Sequence, residues 1–194
     1  MNISTKIIAV ILLILGVLSI YFGAYAPIVK ARRYVSTINS LSTVSTVEDF
    51  ENRFNKVFDF YSPIGGEEIT KYLGTNIINI IGQGDQPELP MRALVNYIEP
   101  HLLQKNVMHL LIGAYAYQAL WNYYGYQEDD FIRAGNYYKK AFEIGPKLPP
   151  VLYGLMEMYQ IKGDVNGMKE MGSLILKYWP EDENVEQIIS QISN

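Results

Sequence analysis

Residues 129–146 read DDFIRAGNYYKKAFEIGP, and the reading of this stretch decides the fold. Acidic residues open it, where carboxylates favour a helix start, and Gly145-Pro146 closes it, where a helix cannot continue. Pro180 follows Pro146 by 34 residues, and the sequence between them includes PPVLYGLMEMYQIKGDVNGMKEMGSLILKYWP (149–180). A period of that length marks stacked helical hairpins. No segment of the chain sustains the period-two alternation of a half-buried strand. The expected fold class is all-α.

The stretch resembles the second helix of a tetratricopeptide repeat. Counted back from Pro146, the residues Ala141, Tyr138, Ala134, Phe131 and Asp130 fall on the family's second-helix positions. The next unit matches at Leu152, Leu155, Tyr159, Gly163, Asp164 and Pro180. It departs at Met156, Met168 and Ile175, where the family carries small residues, which implies a looser or altered helix crossing. Gly113 is a candidate for the small residue of the preceding first helix, after which YYGYQEDD (123–130) lengthens the connection. The resemblance implies antiparallel hairpins over residues 106–194, closed by a last helix bearing Val185, Ile188, Ile189 and Ile192. It also implies a peptide groove lined by first-helix side chains. The candidates are Tyr153, Glu157 and Gln160, with Tyr117 from the preceding unit.

Working back towards the N-terminus, each segment reads as a helix. One is expected from Asn106 to Tyr124, and a shorter one after Pro87 and Pro90, carrying Met91, Leu94, Val95, Ile98 and Leu102 and disturbed at Pro100. Another begins at Glu67-Glu68 and places Ile69, Tyr72, Leu73, Ile77, Ile80 and Ile81 on one face. A fourth starts with Ser45 or Thr46 as cap, and its apolar face is Phe50, Phe54, Val57, Phe58 and Tyr61. Residues 34–105 thus form a helical juxtamembrane region between an anchor (1–33) and the repeat region (106–194).

From Ile7 to Val29 the chain reads IIAVILLILGVLSIYFGAYAPIV without a charge. As a helix it would extend roughly 34 Å, enough to cross a hydrocarbon core of roughly 30 Å. Tyr21, Phe22, Tyr25 and Tyr34 gather at its downstream end, as interfacial rings do, and Lys30, Arg32 and Arg33 stop the run. A cleaved signal peptide is the rival reading, with Ala24-Tyr25-Ala26 as a small-x-small site, but Pro27 would obstruct processing there. The expectation is an uncleaved single-pass anchor in the cell membrane. The three basic residues after the span favour a cytoplasmic domain, whereas the short tail before it favours export; the balance is read as an extracytoplasmic domain.

Charge and composition exclude several function classes. Residues 1–33 hold four basic side chains and no acid, so the remainder has 12 basic against 20 acidic residues and would be repelled by a phosphate backbone. Nucleic acid is not an expected partner. The chain has no cysteine, which removes thiolate chemistry and disulfides. His101 and His109 have no acidic companions at ligand spacing and are read as helix-surface residues, so no metal is expected. Gly82-x-Gly84 lacks the third glycine and preceding strand of a dinucleotide loop, so no small-molecule cofactor is expected either. Glu128-Asp129-Asp130 is read as a helix cap rather than a cation site. No catalytic set emerges, and the chain is expected not to be an enzyme. Its sixteen tyrosines are read first as interhelical packing and second as interface residues.

A second resemblance covers more of the chain. An apolar span with a Tyr/Pro-rich exit, a basic turn, an aromatic helix and SPIGGEEI (62–69) precede the hairpins. This order is similar to the C-terminal tail of bacterial O-antigen ligase or polymerase-like membrane proteins. It implies, as an alternative to a protein-binding scaffold at the membrane, an accessory subunit of a glycan-assembly enzyme.

Overall fold

A computed structural model describes residues 3–192, and every regular element among them is helical. Contacts divide the chain into two compact units, residues 1–72 and 73–194, with the division inside one helix. Each unit has its own packing logic.

In the first unit, α1 (Ile3–Ile20) and α2 (Ala26–Asn39) are joined by a π-helical turn, Tyr21–Tyr25. Pro27 accounts for its place. Proline removes one helical N–H and crowds the carbonyl four residues back, and a wider turn just before it relieves that crowding. Every described side chain from residue 3 to residue 25 is exposed, while Ala26 is fully buried. Helix α3 (Val47–Phe58) packs on α2 after a 3₁₀ turn, Leu41–Thr43. Thr46 caps α3, its Oγ1 accepting from the Asp49 N–H at 3.1 Å. Phe50, Phe54 and Val57 are buried as the periodicity requires. Tyr61 departs from that expectation: it lies beyond the end of α3, is exposed, and meets the Phe22 ring edge-on at 6.0 Å. Lys30 is buried and donates to the carbonyl of Phe60 at 3.1 Å, closing the C-terminal end of α3.

Helix α4 (Gly66–Ile81) spans the division, and α5 (Glu88–Ile98) follows in the second unit. At Pro100 the backbone tightens into a 3₁₀ turn, Glu99–His101, the expected disturbance. Then comes α6 (Val107–Tyr123), capped by Asn106 through the Met108 N–H at 2.9 Å. Its sequence is apolar on all sides, and the helix is buried nearly all round, which is where such a helix is stable. His109, expected at a helix surface, is fully buried here, and its Nδ1 accepts from the Leu103 N–H at 3.0 Å.

The remaining helices are α7 (Glu128–Ile144), α8 (Pro149–Lys162), α9 (Val165–Tyr178) and α10 (Glu183–Gln191), each packed against the one before it. Trp121 meets Phe131 near the α6–α7 connection, and Tyr117 meets Tyr137 farther from it, so these two helices run antiparallel. Gly163, at φ +71°, ends α8 in the left-handed region, and Asp164 caps α9 through the Gly167 N–H at 3.0 Å.

Glycines on α6 and α8 set how closely α7 approaches each of them. A Cβ on Gly113 would lie 2.7 Å from the Tyr137 ring, and one on Gly154 would collide with the Tyr138 ring. Gly154, two positions before Met156, is therefore the small residue through which α8 admits α7. Asp130 also departs from expectation. Gln127 takes the cap position, and Asp130 sits inside the first turn of α7, with 2% of its surface exposed. Arg92 of α5 grips its carboxylate with both terminal nitrogens, at 2.9 and 2.8 Å. A charge that deeply buried requires such a partner.

Candidate interaction groove

Helix α8 carries Tyr153, Met156, Glu157 and Gln160 at spacings of three, four and seven residues, one stripe along a helix. The N-terminal turns of α10 lie beside that stripe. Together they bound a cavity of about 340 Å³, whose other walls include Asp182, Val185 and Ile188. Met156 and Val185 are buried and form the apolar floor, while Glu157 and Gln160 are exposed on the rim. Three of the four groove candidates therefore share one concavity.

Tyr153 plays a double part in it. Its ring is partly exposed, at 38%, but its hydroxyl donates to Asp182 Oδ2. The other oxygen of Asp182 caps α10 by accepting from the Val185 N–H at 3.1 Å. One carboxylate thus ties α8 to the start of α10. The hydrogen bond to Asp182, with some burial, pushes the Tyr153 hydroxyl up to about 12. The same hydrogen bond holds the Asp182 carboxyl below the usual carboxylate range.

Tyr117 is elsewhere. It is 3% exposed inside the α6–α7 hairpin and stacks on Tyr137 with ring centroids 6.0 Å apart. Its hydroxyl donates to Glu99 Oε2 at 2.7 Å and accepts from Arg133 at 3.0 Å. The Tyr137 hydroxyl donates to the other Glu99 oxygen at 2.8 Å. Burial first, and the Glu99 carboxylate second, drive both phenols above their usual range. Tyr138, also buried, donates to Gln118 at 2.7 Å. Glu99 organises this cluster, and the sequence offers no signal for it beyond an acid before a proline.

A second cavity, of about 350 Å³, opens between α7 and α8. Its walls are Ile132, Gly135, Met158 and Tyr159, with Lys139 and Lys162 at the edge. Among the described residues no three His, Cys, Asp or Glu side chains gather as a metal site requires. No family model, curated protein or solved structure matches this chain.

Proposed function

We propose that this protein is a single-pass membrane-anchored scaffold whose α8–α10 groove binds a peptide segment of a partner protein. The groove is the observation that carries the reading: an apolar floor, a polar rim and access to solvent are the features by which helical repeats hold extended or helical peptides. The tetratricopeptide resemblance points the same way. Glu157 and Asp182 make the rim acidic, and residues 73–194 carry 14 acidic against 9 basic side chains. The preferred peptide therefore combines an apolar anchor with lysine or arginine. The uncovered apolar surface of the described residues between 6 and 25 supports the anchor. The role is non-enzymatic.

The test is affinity purification of the full-length tagged chain from mildly solubilised native membranes, followed by binding measurements with each recovered partner. Glu157→Lys with Gln160→Ala changes only exposed rim residues and is expected to weaken the true partner at least tenfold. Unchanged affinity for every recovered partner would eliminate the groove. Recovery of a multi-span glycan-assembly enzyme, lost when residues 7–29 are exchanged for an unrelated span, would favour the accessory-subunit role.

A further inference from the structure

A cavity of opposite charge lies where the uncovered part of the N-terminal helix ends. Helices α2 and α3 bound about 470 Å³, lined by Arg32, Arg33, Arg53 and Lys56 and by the hydroxyl-bearing Ser36 and Thr37. Among the described residues no acidic side chain lines it. Two of the four cations are committed to the fold. Arg53 pairs with Asp49 at 2.7 Å and donates to Ser40 and Thr43, and Arg33 covers the Phe60 ring at 4.3 Å. Arg32 and Lys56 are exposed and hold no salt bridge among the described residues. Two uncommitted cations converging beside two hydroxyls favour an anion with several acceptor oxygens.

Position identifies that anion. The fully exposed helix surface ends at Tyr25. Arg32 follows seven residues later, about 10 Å farther along a helix. The headgroup layer occupies roughly the first 5–8 Å beyond the hydrocarbon core, within reach of a long arginine side chain. Val29 and Val57 give the cavity an apolar wall, and Val29 lies on the span side of Arg32 in the sequence. We infer that this cavity binds the phosphate of an anionic phospholipid headgroup, an assignment that rests on reading residues 3–25 as a membrane anchor. Free phosphate shares the chemistry but gains nothing from the apolar wall or the depth.

The experiment uses the full-length chain in two steps. Flotation with phosphatidylcholine vesicles comes first, because a chain that fails to float overturns the anchor reading and this site with it. The detergent-solubilised chain is then titrated with short-chain phosphatidylglycerol, short-chain phosphatidylcholine and inorganic phosphate. Phosphatidylglycerol is expected to bind at least tenfold more tightly than phosphatidylcholine. Arg32→Gln with Lys56→Gln should weaken it about 25-fold, at roughly fivefold per cation, with an unchanged circular-dichroism melt. Ser36→Ala with Thr37→Ala should weaken it about threefold. Flotation without any preference for phosphatidylglycerol, or a preference untouched by the double glutamine variant, overturns the site alone. Inorganic phosphate binding as tightly as phosphatidylglycerol overturns the lipid assignment.

Discussion

The two hairpins of the second unit use the same side chain in opposite ways. In α6–α7 the hydroxyls of Tyr117, Tyr137 and Tyr138 all find partners inside the unit, namely Glu99 and Gln118, and the rings are buried. Tyr153 of α8 keeps a partly exposed ring and a partner, Asp182, at the edge of an open groove. A buried phenol is usually hydrogen-bonded, as these three are, whereas the Tyr124 hydroxyl at the end of α6 is buried without a partner among the described residues. The first hairpin is accordingly closed by polar ties, and the second places its phenol at an open cavity.

The strongest way to break the first hairpin is at Arg92. Arg92→Met leaves the Asp130 carboxylate buried without its partner, and loss of a buried partner costs about 3–5 kcal/mol. Chemical denaturation of a soluble fragment beginning near α4, or of the full chain in detergent, should show that loss. Arg92→Met with Asp130→Leu should recover much of it, because an apolar pair of similar volume removes the stranded charge. No recovery would mean that the pair also sets the docking of α5 on α7.

Packing comes next, and here both hairpins should respond. Gly113→Ala and Gly154→Ala each push a methyl group into a tyrosine ring, and overpacking costs about 1–3 kcal/mol. The Tyr137 ring facing Gly113 is held at its hydroxyl by Glu99, so it has little freedom to retreat. Tyr138, facing Gly154, is tethered to Gln118 in the same way. If Gly154→Ala were neutral in a thermal melt, α8 would be able to slide on α7, and the second hairpin would be looser than its side-chain contacts indicate.

The sequence shows the local half of this architecture and hides the other half. Thr46 is legible as a cap because its side chain and the N–H it serves lie within three residues of each other; Asn106 and Asp164 cap over the same short reach, although the sequence marks them only as a helix start and a repeat position. Pro100 is legible because its effect is on its own backbone. Helical periodicity alone gives most of the apolar faces of α3, α4 and α5, although Tyr61 and Tyr72, placed on two of them, are exposed. Asp130 was out of reach, since its partner Arg92 is 38 residues away in the chain. Glu99 and Tyr137 are separated by the same distance, 38 residues. Tyr117 and Tyr153 looked equivalent as first-helix residues, and only the partners brought to them by other helices separate core from groove.

Alkaline titration reads that separation directly. Burial holds the hydroxyls of Tyr117, Tyr137 and Tyr138 above the ordinary phenol value near 10. Because the folded pKa is raised, their contribution to stability is fully present below about pH 10 and declines as the pH rises beyond it. Tyr153 has the same sign, with its loss confined to the window between about pH 10 and about 12. Absorbance at 295 nm should therefore show Tyr153 ionising before Tyr117, Tyr137 and Tyr138, which ionise only as the hairpin opens. Ionisation of the buried rings ahead of Tyr153 would reverse the assignment of closed and open hairpins.

The smallest effect separates the hairpins most cleanly. Tyr138→Phe strands the Gln118 carbonyl oxygen in the core, and an unsatisfied buried acceptor costs about 1–3 kcal/mol. Tyr153→Phe releases Asp182 Oδ2 at a surface where water replaces the phenol, so stability should move by about 0.5 kcal/mol or less. Asp182 keeps its cap to Val185 through its other oxygen, so α10 remains in place. Affinity for a groove-bound peptide is the sensitive readout for this variant: the ring stays, the hydroxyl tie to Asp182 goes, and the freed carboxylate adds acceptor capacity for a basic side chain. Equal or tighter binding of a lysine- or arginine-bearing peptide to Tyr153→Phe would place the partner's cation at Asp182. A tenfold loss with unchanged stability would instead assign the phenolic hydroxyl to the peptide, and the tie to Asp182 to the empty groove alone.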